Sequence, residues 1–178
     1  MLLLAFVLIA SRGVAALAGS TQADASELDG ASAPSSITIP AIDIEAEVVP
    51  VVSEDGVLGV PEEPWVAGWW QDGASPGGAE GAVLLDAHVD SIAFGPGPFS
   101  RVTELEPGDL ATITVADGSA FTYRVQDVTS YTKADLPYEQ LFSQAGPERL
   151  VFVTCGGRYL GPDEGGYESN VVVVFVPA

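Results

Sequence analysis

Residues 109–128 read DLATITVADGSAFTYRVQDV, and this stretch decides the fold class. Apolar and polar side chains alternate on both sides of Asp117-Gly118. Alternation with period two puts one set of side chains on a buried sheet face and the other towards solvent, the pattern of a half-buried strand. Two such runs joined by Asp-Gly make a tight hairpin, because that dipeptide tolerates the positive φ that hairpin turns demand. The segments around it carry the same signature. Residues 37–51, ITIPAIDIEAEVVPV, place branched side chains at strand spacing, with Pro40 and Pro50 marking edges, bends or strand ends. GVLGVP (56–61), AVLLDA (82–87), RLVFVT (149–154) and NVVVVFVPA (170–178) are further strand candidates. Helical signal is thin: PEEPWVAGWW (61–70) and LPYEQLFSQA (136–145) each predict one or two turns. Many short strands, few and short helices, and frequent Gly and Pro punctuation indicate an all-β barrel or sandwich. No internal repeat at a fixed period is visible.

The 178 residues suit one domain of ordinary size plus a short tail. Apolar residues make up 47% of the chain, enough for a core. Its 25 Asp and Glu against 6 Lys and Arg give a net charge of −19, which repels phosphate backbones and argues against nucleic acid as a partner. The single lysine, Lys133, rules out polybasic membrane anchoring. One cysteine and one histidine leave no room for an internal disulfide framework or a cysteine-rich metal site. No acidic segment has the ligand spacing of a calcium loop, so neither a metal nor a cofactor is expected.

The first residues, MLLLAFVLIA, continue past Arg12 into GVAALAG, an apolar stretch over residues 1–19. It reads as a signal anchor or export segment, marginal in length for a bilayer core of about 20 residues, with a buried helix as the alternative. STQADASELDGASAPSS (20–36) has no apolar periodicity and reads as a flexible linker. The folded domain is expected over residues 37–178.

Cys155 ends the apolar strand LVFVT and begins the glycine-rich loop GGRYLGPDEGG. His88 stands in the same kind of place, after AVLLDA and before VDSIAFGPGP. A strand fixes the position of such a group, and glycines leave room for a substrate backbone. A lone cysteine with a distant histidine is a candidate nucleophile pair. The thiolate is the reactive form, an unperturbed thiol near pKa ~8.5 is mostly protonated at neutral pH, and an imidazole can take its proton and later return it to a leaving amine. The plainer alternative makes Cys155 a small buried hydrophobe and His88 a surface turn residue. Trp65, Trp69 and Trp70 are either a sugar-stacking surface or core aromatics.

These residues resemble the bacterial sortases, most closely the class E/F type of actinobacteria. LVFVTCGGRY (150–159) is similar to the family's Leu-x-x-x-Thr-Cys strand and the glycines after it. GAVLLDAHVDS (81–91) resembles the strand ending in His-Val-Asp, and VAGWWQDGASPGG (66–78) the Gly-Trp-Trp segment before it. ITIPAIDIEAEVVPV resembles the opening strands and YESNVVVVFV (167–176) the closing one. The resemblance covers roughly residues 36–178 in the family's order and implies an eight-stranded sortase β-barrel in a membrane-anchored, extracellular cysteine transpeptidase. It further implies that Cys155 attacks the Thr–Gly carbonyl of a sorting signal resembling Leu-Pro-x-Thr-Gly. His88 would protonate the leaving glycine end, and an amine of peptidoglycan or pilin would resolve the thioester.

The family's third group is an arginine on the closing strand, a cationic donor suited to a developing oxyanion. Here Glu168 and Asn170 stand in that region, and the arginine nearest after the cysteine is Arg158. Either Arg158 swings in, Asn170 donates as a neutral amide, or Arg158 is a solvated loop charge. Thr154 is expected to help line the substrate site, or to be only a strand residue. Asp86-Ala87 precedes His88 where family members often carry Ala-Gly; Asp86 shares the face of His88 and either stabilises imidazolium or faces solvent. The competing functions are a catalytically weak sortase-like surface binding module, and a structural surface domain joined through an intermolecular disulfide at Cys155.

Overall fold

The computed structural model describes residues 33–54 and 57–178. The segment 1–19, expected as an anchor, and the stretch expected as a linker up to residue 32 lie outside the described residues. The first strand opens at Pro34, inside the stretch whose composition reads as linker.

Strands β1 (Pro34–Ile39) and β2 (Ile44–Val51) pair antiparallel across a 3-10 turn, Pro40–Ile42, whose exit residue Asp43 takes a left-handed conformation with φ 53°. Along β2 Ile44, Ala46 and Val48 are buried while Glu45 and Glu47 face out, so the alternation read from the sequence is the alternation of the wall. A small ribbon, β3 (Ser53–Glu54) with β4 (Val57–Leu58), precedes β5 (Val66–Trp70). Strand β6 (Ala82–Ala87) is followed by a second ribbon, β7 (Asp90–Ser91) with β8 (Gly95–Pro96). A 3-10 segment, Pro98–Glu104, leads to the hairpin of β9 (Leu110–Val115) and β10 (Ala120–Thr132). Its turn is built as the sequence predicts: Gly118 has φ 88°, and the Asp117 carboxylate accepts from the Ser119 amide at 2.8 Å. One helical turn, Tyr138–Leu141, precedes β11 (Arg149–Tyr159) and β12 (Tyr167–Pro177).

Eight of these strands close into a barrel in the order β1-β2-β5-β6-β11-β12-β10-β9, the all-β architecture with short helices that the sequence leads one to expect. Two of its seams are parallel, β2 with β5 and β6 with β11. Inside it, Ile37, Ile39, Val83, Leu85, Ile113, Phe152, Val173 and Phe175 form one core, with Phe99 from the 3-10 segment stacked on Phe152 at 4.9 Å between ring centroids. The β6–β11–β12 wall is apolar on its outer face as well, where Ala82, Leu84, Val151 and Val172 pack against Leu136 and Leu141. Being covered on both sides is why AVLLDA and LVFV read as unbroken apolar runs.

Two local expectations are corrected. PEEPWVAGWW contributes no helix; Val66–Trp70 is a strand, held by parallel pairing to β2 and antiparallel pairing to β6. Cys155 does not end its strand either. β11 continues to Tyr159 through a register shift between Gly156 and Tyr159, with Gly157 at φ 76°.

Candidate active site

The parallel seam of β6 and β11 sets the site. Its last register pair is Ala87 with Thr154, so the next residue on each strand is His88 and Cys155. Adjacent strands run about 4.8 Å apart, so the imidazole-bearing and thiol-bearing backbones leave the ladder side by side at one end of the barrel. Thr154 Oγ1 donates to the Ala87 carbonyl at 2.8 Å from a buried position. Thr154 falls on the inward parity and staples the two strands one residue short of Cys155 and His88. On β12, Asn170 is the register partner of Cys155.

The outward parity of the same wall carries Leu84 and Asp86 on β6 and Val151, Val153 and Cys155 on β11. There the wall floors a cavity of about 710 Å³, lined by Val57, Leu58 and Val60 on one flank and by Leu136, Leu141 and Phe142 on the other. Asn170, the register partner of Cys155, and Lys133 also line it. The groove is mostly apolar, and its floor includes Val153, the residue two positions before Cys155 on the same face of β11.

Cys155 is half-buried and free. Burial pushes its thiol above the ordinary value, Asp90 adds to that, and the Lys133 ammonium opposes it. The resting group is therefore a thiol that needs a base to react. The segment after His88 is clipped down by Tyr167, whose hydroxyl donates to Asp90 Oδ2 at 2.5 Å; that hydrogen bond is the main reason the Tyr167 phenol is pushed up to about 12.

Arg158 is not brought into the groove. Its side chain is 77% exposed, with Nε 3.7 Å from Glu168 Oε2, while its backbone amide donates to Glu168 Oε1 at 3.0 Å. The bulge that follows Cys155 separates the two along β11. The cation whose charge works against the raised thiol pKa is Lys133, which sequence reasoning passed over because it follows β10, with β12 between that strand and the cysteine's. Asp86 is a correction as well: it neither faces solvent nor contacts the imidazole, being 6% exposed in the cavity wall with Oδ1 unpartnered. Of the tryptophans, Trp69 is core and Trp70 packs edge-on against Phe142, while Trp65 is exposed beside Phe94. Among the described residues no cluster of His, Cys, Asp and Glu is arranged to hold a metal ion. None of the helices among them is long and apolar enough to cross a membrane.

Solved structures share this architecture at low identity. The chain matches sortase C1 from Streptococcus suis with a TM-score of 0.61 and 17% identity, covering 86% of this chain and 77% of that one. It matches sortase A from Corynebacterium diphtheriae with a TM-score of 0.60 and 15% identity, covering 89% and 71%. It matches sortase C from Clostridium perfringens with a TM-score of 0.58 and 16% identity, covering 82% and 69%. No curated protein matches it in sequence. The sortase domain model, however, matches residues 37–178 directly, and with a cysteine and a histidine side by side at the end of one parallel seam of the closed barrel, the chain belongs to the sortase family.

Proposed function

We propose that the protein is a cysteine transpeptidase, of class E/F type, acting on sorting signals that resemble Leu-Pro-x-Thr-Gly. The observation that supports the reading is the register of Thr154 with Ala87, whose next residues are Cys155 and His88, on a wall whose outer face floors an apolar groove. In the proposed cycle His88 takes the thiol proton as Cys155 sulfur bonds to the threonine carbonyl carbon. The C–N bond to glycine then breaks, the proton passes from imidazolium to the leaving amine, and a thioester remains. An incoming amine, on peptidoglycan or a pilin, attacks that carbonyl; the C–S bond breaks and the thiolate recovers its proton. The raised thiol pKa supports a slow, base-dependent first step. Anchoring through residues 1–19, with the catalytic domain outside the cell, completes the proposal and rests on the composition of that segment.

A second reading, a sortase-like binding module with weak catalysis, is favoured by one observation: Glu168 occupies the closing strand where the family resemblance leads one to expect an arginine, and it pairs with Arg158. Mass spectrometry of the protein with a Leu-Pro-x-Thr-Gly peptide separates the two. A thioester adduct absent from Cys155→Ala and His88→Ala, converted to ligated product by an added amine, is the outcome of a transpeptidase. Peptide binding without any adduct, from folded protein with a free thiol, is the outcome of a binding module. Arg158→Ala run alongside decides whether that side chain takes part; an undiminished adduct removes it.

A further inference from the structure

The proposed transfer reaction leaves one buried group unused. Asp86 lies in the groove wall at 6% exposure, between the apolar side chains of Leu84 on its own strand and Val153, its register partner on β11. Its Oδ1 is sealed from solvent and has no hydrogen-bond partner. The niche is made by two residues together, because a Cβ on Gly68, the partner of Asp86 on β5, would stand 2.4 Å from that oxygen. Folding alone favours an apolar side chain here, since an uncompensated buried carboxyl is costly and every neighbour in the wall is apolar.

Among the described residues only its own backbone amide offsets the burial, and no other side chain does. β5 presents Gly68 and the uncharged Trp70; β11 presents Val153 and Cys155; the flank before β5 presents Val57, Leu58 and Val60. Among the described residues the titratable groups near the cavity are Lys133 and Glu139, with His88 just past the end of β6, and none bonds to Asp86 Oδ1. Lys133 instead donates its ammonium to the Gly165 carbonyl. Burial holds the Asp86 carboxyl up to about 7, so it is partly ionised near neutrality and fully so above it. Asp86 lines the groove, so a cationic group entering there would meet its carboxylate.

Val153 and Asp86 are both one outward position short of the reactive pair, about 7 Å back from Cys155 along an extended chain. This inference rests on the sorting-signal reading. With the threonine carbonyl at Cys155, the apolar leucine end of the signal matches the apolar cavity, and x is the position next to the threonine whose side chain is free to vary. A lysine or arginine there has the reach to cover the remaining distance. We propose that Asp86 is a specificity residue that reads a basic side chain at position x of the signal, pairing with it inside the groove.

The test measures binding of labelled peptides with x as lysine, norleucine, glutamine or glutamate to the non-acylating Cys155→Ala protein, by fluorescence anisotropy. Asp86→Asn and Asp86→Leu are introduced beside it, one isosteric and one filling the niche with apolar atoms. The lysine peptide is expected to bind about tenfold tighter than norleucine near pH 8, as one charge-assisted hydrogen bond would give. The advantage shrinks near pH 6, where the carboxyl takes up its proton, and is lost in both variants. Equal affinity for lysine and norleucine, or a lysine preference that survives Asp86→Asn, would overturn the inference and leave the sortase reading standing. Absence of binding by every peptide, from folded protein, would overturn both.

Discussion

At Cys155, burial and charge pull in opposite directions. Desolvation and Asp90 hold the proton on sulfur, and Lys133 alone among the named influences works to release it. Replacing Lys133 with methionine keeps the length of the side chain and removes the charge. The midpoint of the pH profile for iodoacetamide alkylation of Cys155 is expected to rise by about half a unit, with Lys133→Arg close to the parent, because the ammonium is exposed and partly screened. An unmoved midpoint would remove Lys133 from the field at the thiol. Asp86 gives a second measurement, this time of stability. Its folded pKa of about 7 lies above the ordinary 3.8, so the native state binds the proton more tightly than the unfolded one. Its contribution to folding is unimpaired below the ordinary value, worsens as pH rises through the window from 3.8 to about 7, and is constant above it. Asp86→Asn abolishes that dependence. The variant should therefore gain on the parent across this window, by on the order of 4 kcal/mol above pH 7 at about 1.4 kcal/mol per unit. Urea unfolding at a series of pH values checks it; parallel stability curves would show the carboxyl to be ionised or solvated in the folded state.

At the scale of elements, the site depends on two strands ending together. The Thr154 hydroxyl and the Ala87 carbonyl make the last link between β6 and β11 before His88 and Cys155. Thr154→Val preserves the shape and leaves that buried carbonyl without its side-chain donor. A loss of about 1–3 kcal/mol in unfolding free energy is expected, together with a fall in kcat for peptide cleavage that exceeds any change in KM. A KM effect alone would instead make Thr154 a substrate contact. The strands themselves were legible from the sequence wherever one face is wet: Glu45 and Glu47 alternate with Ile44, Ala46 and Val48, and period two follows. Val66–Trp70 was not legible, since Val-Ala-Gly-Trp-Trp carries no alternation and its strand character comes from β2 and β6, distant in sequence. The reactive pair was legible as chemistry, one thiol and one imidazole each following an apolar run. That they adjoin is a property of a parallel seam joining segments 67 residues apart, which no local pattern encodes. Lys133 and the burial of Asp86 were hidden for the same reason, each being decided by elements that neither residue's own segment specifies.

The molecule as a whole carries −19, and very little of that charge is paired. The ion pairs among the described residues all use Arg101 or Arg158, and all are solvent-exposed. Such pairs contribute little, so the acidic surface acts mainly through self-repulsion, as between Glu45 and Glu47 on one face of β2. The compact state concentrates these charges and the unfolded chain spreads them, so screening should favour folding. Raising sodium chloride from about 0.1 M to about 1 M shortens the screening length from about 10 Å to about 3 Å, well inside the spacing of neighbouring surface carboxylates. The melting temperature is expected to rise by on the order of 5 °C, the shift that one to two kcal/mol produces in a domain of this size. Choline chloride at the same ionic strength separates causes, because its bulky cation screens without coordinating carboxylates. Equal stabilisation by both salts identifies self-repulsion as the term relieved. Stabilisation by sodium alone would point to cation binding at particular acidic groups, and none by either would mean that the carboxylates are already too far apart, or too well hydrated, to strain the fold.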